Sequence, residues 1–238
     1  RNGAMGWTAA LTTLQGRLQE RASGTVKALV SPFWSNEDLS AVIRLVDALG
    51  GGEVLYRSPR AEEEVPLAGV AGLARRRDLA PNVRGAELLG CTRVGDDEGR
   101  GGLEALTDHE GVVLVLGDTL DEEDEGFAPN AELVVYIGAY GSTALNTADF
   151  QLPITTFAEQ EGTFTNHAGR VQRFWPALAG PGAARPAWLV IGALSGALEE
   201  QEGPSDAGEA FQVVTEMVEA YRGLTYDAIG SQGASSEV

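Results

Sequence analysis

The chain has 238 residues, a hydrophobic fraction of 43%, a charged fraction of 22% and a formal net charge of −18. That balance belongs to an ordinary globular chain with ample material for a core. The acidic excess excludes direct binding to DNA, RNA or an anionic membrane surface, where clustered cations must neutralise phosphate.

No apolar run approaches the roughly 20 residues of a membrane helix, and no charged segment followed by an apolar one opens the chain as a signal peptide does. Of the 17 basic residues only Lys27 is a lysine, a bias that reflects genome composition. Cys91 is the single cysteine. It excludes an internal disulfide, and alone it holds neither an iron–sulfur cluster nor a structural zinc. One thiol fits a reducing compartment, the cytoplasm. The opening Arg1-Asn-Gly-Ala, with its first methionine at Met5, is expected of a piece of a longer polypeptide.

In chain order, Trp7, Leu11, Leu14 and Leu18 form one stripe of an amphipathic helix over Gly6 to Glu20. Val26 to Val30 reads as a buried strand ended by Ser31-Pro32. Ser35 is an N-cap with Glu37 and Asp38 in the first turn, and Leu39, Val42, Ile43, Val46 and Leu49 give the helix an apolar face. Gly50-Gly51-Gly52 stops it and Glu53 to Tyr56 is the next strand. Strand, helix, strand within about thirty residues is the βαβ unit of a parallel sheet. A dinucleotide fingerprint puts its glycines between first strand and helix. Here Ser31-Pro-Phe-Trp-Ser35 occupies that turn, so a Rossmann-like shape is expected there without a dinucleotide site.

Ser58 to Arg77 is a polar connection with two solvated charge runs, Glu62-Glu63-Glu64 and Arg75-Arg76-Arg77. A loop from Ala80 leads into a helical turn before Gly90, and Leu103 to Leu106 is a brief helix. Gly111 to Gly117 and Leu133 to Ile137 are apolar strands separated by an acidic loop, Asp118 to Glu125. Thr143 to Ala148 is a short helix and Phe150 to Pro153 an extended segment. Thr163 to Asn166 and Arg170 to Phe174 alternate around His167-Ala-Gly169, the pattern of a β-hairpin with Gly169 in a left-handed turn position. Trp188 to Leu198 and Ala207 to Tyr221 are helices, and Ser231 to Val238 is a frayed, flexible tail. The sum is an α/β, Rossmann-like chain: a mostly parallel sheet flanked by helices, with a β-hairpin near 163–174. Residues 1–230 make the domain, with 1–78 and 79–230 as an alternative division into two lobes.

Chemistry-bearing groups are sparse. His109 and His167 each lack a second ligand nearby and read as surface or turn histidines, since zinc takes three or four protein ligands. Cys91 has no neighbouring histidine and reads as a small, part-buried filler in preference to a nucleophile. Ser142 does not complete a Gly-x-Ser-x-Gly elbow. The acidic run at 118–125 lacks the alternation of an EF-hand loop, so it reads as solvated. Glu159 and Glu161 read as structural carboxylates in preference to an acid–base pair. No catalytic or metal-binding constellation emerges.

The most patterned stretch carries Thr143-Ala144, Ala148-Asp149, Leu152-Pro153, Glu159, Gly162-Thr163, Asn166, Gly169-Arg170 and Gln172. Upstream stand Asn82-Val-Arg-Gly85 and Leu89-Gly90, and downstream Ala184-Arg-Pro-Ala-Trp188. These segments resemble the molybdopterin oxidoreductase superfamily. Within it they are most similar to the large iron–sulfur subunits of bacterial respiratory complex I, over roughly Ala80 to Leu198.

The resemblance implies a molybdopterin-type domain used as a scaffold in NADH–quinone oxidoreduction, with no catalytic, cofactor-binding or metal residue and no cofactor in this stretch. Iron–sulfur clusters would lie in an N-terminal part of the parent subunit. It further implies other peripheral-arm subunits as partners, no nucleic acid, no membrane insertion, and a peripheral place on the cytoplasmic side of the cell membrane. The alternative it leaves is a true molybdopterin enzyme of formate dehydrogenase or nitrate reductase type, in which the matching segments surround a guanine dinucleotide pterin. A third reading is an acidic α/β interaction module unrelated to either. As structural roles, Asp149 and Asn166 are expected to bond backbone amides at strand ends, Gly162 and Gly169 to allow turns, and Arg170 to pair with Glu159 or Glu161.

Overall fold

A computed structural model describes residues 4–21, 26–117, 120–141 and 144–236. Thr143 of the family pattern, Ser142, and Asp118 of the acidic run lie outside them.

Helix α1 (Trp7–Arg21) leads to β1 (Val26–Val30), α2 (Asn36–Ala48) and β2 (Gly52–Tyr56). The following connection contains a small antiparallel hairpin, β3 (Val65–Pro66) and β4 (Ala74–Arg75). Next come α3 (Val83–Leu88), β5 (Thr92–Arg93), α4 (Glu104–Thr107), β6 (Val112–Leu116) and β7 (Leu133–Gly138). After α5 (Ala144–Thr147) and β8 (Phe150–Pro153), the hairpin β9 (Gly162–Thr165) and β10 (Arg170–Phe174) forms as the alternation predicts. The chain then runs through α6 (Ala187–Glu199), α7 (Ala207–Met217), α8 (Tyr226–Ile229) and β11 (Ala234–Ser235).

Six strands form one parallel sheet in the order β5-β2-β1-β6-β7-β8. The chain works outward from β1 in one direction, returns, and works outward from β6 in the other. This is the doubly wound order, whose switch point lies between β1 and β6. Strands on both sides of position 78 share this sheet.

The sheet explains why β6 is apolar at every position. Val112, Leu114 and Leu116 face the larger core with α2, α6 and α7, whereas Val113 and Val115 join Leu29, Leu55, Leu106 and Phe127 on the other face. A parallel strand covered on both faces loses the in–out alternation of a half-exposed one.

Two expectations change. The second long helix stops at Met217, and a separate 3-10 turn at Glu219–Tyr221 carries the chain on. The tail does not fray at Ala234–Ser235: these residues pair with Val171 and Arg170, making β11 the third strand of a small sheet ordered β11-β10-β9. Small polar side chains gave no apolar signal there, and backbone hydrogen bonds form the strand without one.

Candidate functional site

In doubly wound sheets, ligands bind beyond the carboxyl ends of the strands, at the switch point. Here that place is the turn from β1 into α2. Ser35 caps α2 as its sequence predicts: its Oγ accepts from the Asp38 N–H at 3.1 Å, and Asp38 Oδ2 accepts from the Ser35 N–H at 3.2 Å. This capping box satisfies orphan donors at the helix start. The first-turn acids do something the sequence reading missed. Asn36, Glu37 and Asp38 are fully buried, whereas the sequence reading placed the two acids in the first turn without a tertiary partner.

Their partners arrive from distant segments. Asp38 Oδ2 accepts from Gln160 Nε2 at 2.6 Å, and Oδ1 accepts from the Trp188 backbone N–H, which opens α6, at 2.9 Å. Glu37 Oε2 accepts from the Thr163 N–H at 2.8 Å, while Oε1 accepts from Thr163 Oγ1 and Tyr226 OH, each at 2.9 Å. Asn36 Nδ2 donates to Thr163 Oγ1 at 3.0 Å and Thr165 Oγ1 at 3.1 Å. Asn82 completes the set: its Oδ1 accepts from the Thr165 N–H at 2.8 Å and its Nδ2 donates to Trp34 O at 2.9 Å. The outward amides of β9 at positions 163 and 165 are thus taken by Glu37 and Asn82 side chains, so this sheet edge is closed without another strand.

Close approach explains two family-pattern glycines. A Cβ on Gly162 would meet Ser35 Cβ at 2.8 Å and Phe174 Cζ at 2.9 Å. Gly162 therefore serves contact between β9 and the α2 cap, where a turn had been expected. A Cβ on Gly85 would lie 2.2 Å from both Asn36 Oδ1 and Asn82 Oδ1. Gly169 does occupy a turn, with φ +74°.

Burial dominates the electrostatics. It raises the Glu37 pKa from 4.5 to about 7, against the opposing pull of its donors. Burial likewise raises Asp38, opposed by bonds from Ser35, Trp188 and Gln160. The two carboxylates are held by neutral donors.

Elsewhere in the sheet, Asp149 Oδ2 accepts from the Val134 N–H at 2.9 Å, tying the start of β8 to the start of β7, and Pro153 pairs with Gly138 in the same ladder. Asn166 Oδ1 accepts from the N–H groups of Ala168 at 2.9 Å and Arg170 at 3.0 Å, and Nδ2 donates to Gln172 Oε1 at 3.1 Å. Glu159 Oε2 accepts from the Thr156 N–H at 2.8 Å. The cross-hairpin ion pair falls to Arg173, not Arg170. Arg173 Nε donates to Glu161 Oε1 at 2.7 Å, and its guanidinium lies 4.3 Å from the Tyr226 ring centroid and 5.0 Å from that of Trp175. Arg170 Nε donates instead to Gln232 O at 3.2 Å. Thr163 pairs with Arg173, so Glu161, two residues earlier, lies diagonally across from Arg173, whereas Arg170 sits beside the turn.

The remaining candidates stay apart. His167 is exposed in the hairpin turn; His109, expected at the surface, is buried at 9% exposure, where α4 hands over to β6. Cys91 is buried, and burial pushes its thiol up to about 12, far from a nucleophile's range. Asp121 caps a 3-10 turn, and Asp124 takes a bond of 3.1 Å from Arg57, which is 1% exposed. No group of three or more His, Cys, Asp or Glu is placed to hold a metal among the described residues.

A cleft of about 670 Å³ lies between the hairpin turn and α3, lined by Arg76, Asp78, Arg84, Glu87, Asn166 and His167 among others. Its charges are matched locally: Arg76 to Glu64 at 2.8 Å, Arg60 to Asp78 at 2.6 Å, and Arg84 to Glu87 at 3.7 Å.

Residues 67–197, more than half of the chain, match the family model described as Molybdopterin oxidoreductase, and the chain belongs to that family. It is 30% identical over 130 residues to an NADH-quinone oxidoreductase subunit of Rhizobium meliloti, covering 52% of this chain and 15% of that protein. It is 38% identical over 89 residues to the alpha subunit of an F420-dependent formate dehydrogenase of Methanococcus maripaludis, covering 36% and 13%. It is 39% identical over 83 residues to the mitochondrial NADH-ubiquinone oxidoreductase 78 kDa subunit of Neurospora crassa, covering 35% and 11%. The matched part of the chain thus spans less than a sixth of the length of each of these relatives.

A guanine dinucleotide pterin brings a diphosphate, and neither location fits that charge among the described residues. At the switch point the Trp34 indole lies over Gly117, where an added Cβ would be 1.8 Å from Trp34 Nε1. The α2 N-terminus, where helix amides would receive phosphate, presents its own Glu37 and Asp38 carboxylates. In the cleft, Arg76 and Arg84 already face Glu64 and Glu87.

Proposed function

We propose that this domain is a structural unit of the large iron–sulfur subunit of an NADH–quinone oxidoreductase. In this reading it supports electron transfer from NADH to quinone without carrying a redox centre itself. One observation supports it above the others: the switch point is filled by the chain's own Trp34, and the helix N-terminus beside it by Glu37 and Asp38. These groups spend the usual ligand position on holding α2, α6 and β9 together. The NADH-quinone and NADH-ubiquinone oxidoreductase relatives agree with this reading. Iron–sulfur clusters would then sit in the N-terminal part of the parent polypeptide. Its partners would be other peripheral-arm subunits, on the cytoplasmic side of the cell membrane. No described helix is long and apolar enough to cross a membrane, in keeping with peripheral placement.

The formate dehydrogenase relative favours a second reading, a molybdopterin-dependent oxidoreductase, with the 670 Å³ cleft as the available space. Metal and pterin analysis of the full-length polypeptide separates the two. The scaffold reading expects no molybdenum, no tungsten and no fluorescent pterin after oxidation. Stoichiometric recovery of either metal with pterin overturns it.

A further inference from the structure

Where α2, α6 and α7 meet, a small cavity of about 20 Å³ is lined by Glu37, Ser40, Arg44, Trp188 and Ser195 among others. Trp188 is 6% exposed, and its indole N–H is buried without a hydrogen-bond partner among the described residues. A buried donor of this kind is normally satisfied. The space exceeds the 10–15 Å³ or so that one water requires, and Glu37, Ser40 and Ser195 bring polar groups to an otherwise largely apolar wall.

We propose that this cavity is a binding site for a single internal water molecule, held by the Trp188 indole and the Glu37 carboxylate. The water accepts from Trp188 Nε1–H. It donates to Glu37 Oε2, which receives one bond from the Thr163 N–H and keeps a lone pair. Its second proton goes to a serine hydroxyl. Ser40 Oγ donates to Glu37 O at 2.9 Å and Ser195 Oγ to Ile191 O at 3.1 Å, so each oxygen remains free to accept. Bound there, the water links the first turns of α2 and α6 beside the direct Asp38–Trp188 bond. It also hydrates one side of Glu37. Arg44, whose side chain is 33% exposed and paired with Glu199, stands at the rim and gives the site a path to solvent.

The test is water–protein cross-relaxation on the indole N–H signals of the ¹⁵N-labelled chain. Single Trp→Phe substitutions assign the four signals, by elimination for any variant that fails to fold. A cross-peak between the Trp188 indole proton and water, with the sign of a long-lived complex, is expected, and its absence overturns the proposal. Filling the cavity gives an independent readout. Ser195→Thr adds one methyl and keeps the hydroxyl. It is expected to lower Tm in the parent chain, where it expels the water and strands the indole donor, and to be neutral or stabilising beside Trp188→Phe. A rise in Tm in the parent chain would mark a dry void and overturn the assignment.

Discussion

Two regions of this molecule invert the usual rule of burial. At the start of α2, two carboxylates and an amide side chain are fully buried; on the β3–β4 hairpin, Leu67 and Leu73 are about half exposed. The difference lies in where the partners are. Every carboxylate oxygen of Glu37 and Asp38 receives a bond from within this chain, whereas among the described residues the hairpin tip shows its own backbone ladder and a flanking ion pair. Polar groups are buried where a converging set of donors satisfies them. The hairpin leucines are ones that the other described residues leave uncovered.

The largest expected effect is at Asp38. Asp38→Ala strands the Ser35 and Trp188 backbone donors and the Gln160 amide, and is expected to destabilise by about 3–5 kcal/mol. That is a large share of a domain's typical stability of about 5–15 kcal/mol. Urea denaturation measures it. A loss below about 1 kcal/mol would mean the buried carboxylate is dispensable and the contrast between the regions is empty.

Glu37 sharpens the comparison through pH. Its folded pKa of about 7 lies above the ordinary 4.5, so between those values the folded state holds more proton than the unfolded state. Stability from this group is complete below about pH 4.5 and is lost as pH rises through 7, on the order of 3 kcal/mol in all. Asp38 is shifted in the same direction, and part of the slope stays with it. Denaturant midpoints between pH 5 and 8 should therefore fall in the parent chain and fall less in Glu37→Gln. In that variant Oε1 can still accept from the Thr163 N–H, and Nε2 can donate to the Thr163 and Tyr226 hydroxyls. Identical slopes for both proteins would remove Glu37 as the titrating group.

The part of this arrangement legible in sequence was the local part. Ser35 as cap, the βαβ unit, the apolar β6 and the 163–174 hairpin each depend on neighbours a few residues away. The burial of Glu37 and Asp38 depends on Gln160, Thr163, Trp188 and Tyr226, which are 122 to 189 positions distant. An acid in a first helical turn satisfies the dipole rule whether it faces water or a core, so the pattern could not separate the cases. A weaker signal was present. Thr163 and Thr165 alternate with Phe164, and their shared inward face called for polar partners that Asn36, Glu37 and Tyr221 supply. The same distance effect hid the choice between Arg170 and Arg173, because only the register of β9 on β10 places Glu161 near Arg173.

That choice is the next test, intermediate in size because Arg173 is partly exposed. Arg173→Ala removes the Glu161 bond and the stacking on Tyr226 and Trp175, and should destabilise by about 1–2 kcal/mol. Arg170→Ala, which loses one bond to a backbone carbonyl, should lie nearer 0.5 kcal/mol by the usual net worth of such a bond. A reversed order in thermal melts would place the clamp on the turn side of the hairpin.

The smallest effect is expected at the hairpin tip, and its smallness is informative. Leu67 and Leu73 face solvent on a two-residue ladder, and Arg76–Glu64 is an exposed ion pair. Leu67→Ser with Leu73→Ser should change the unfolding free energy of this chain by no more than about 0.5 kcal/mol, the usual range for surface positions. Arg76→Ala should do the same, since exposed pairs contribute about 0–1 kcal/mol. Destabilisation of the isolated chain by more than about 1 kcal/mol would show that the leucines pack within the fold, and the contrast between an inward polar junction and an outward apolar hairpin would fail at its second term.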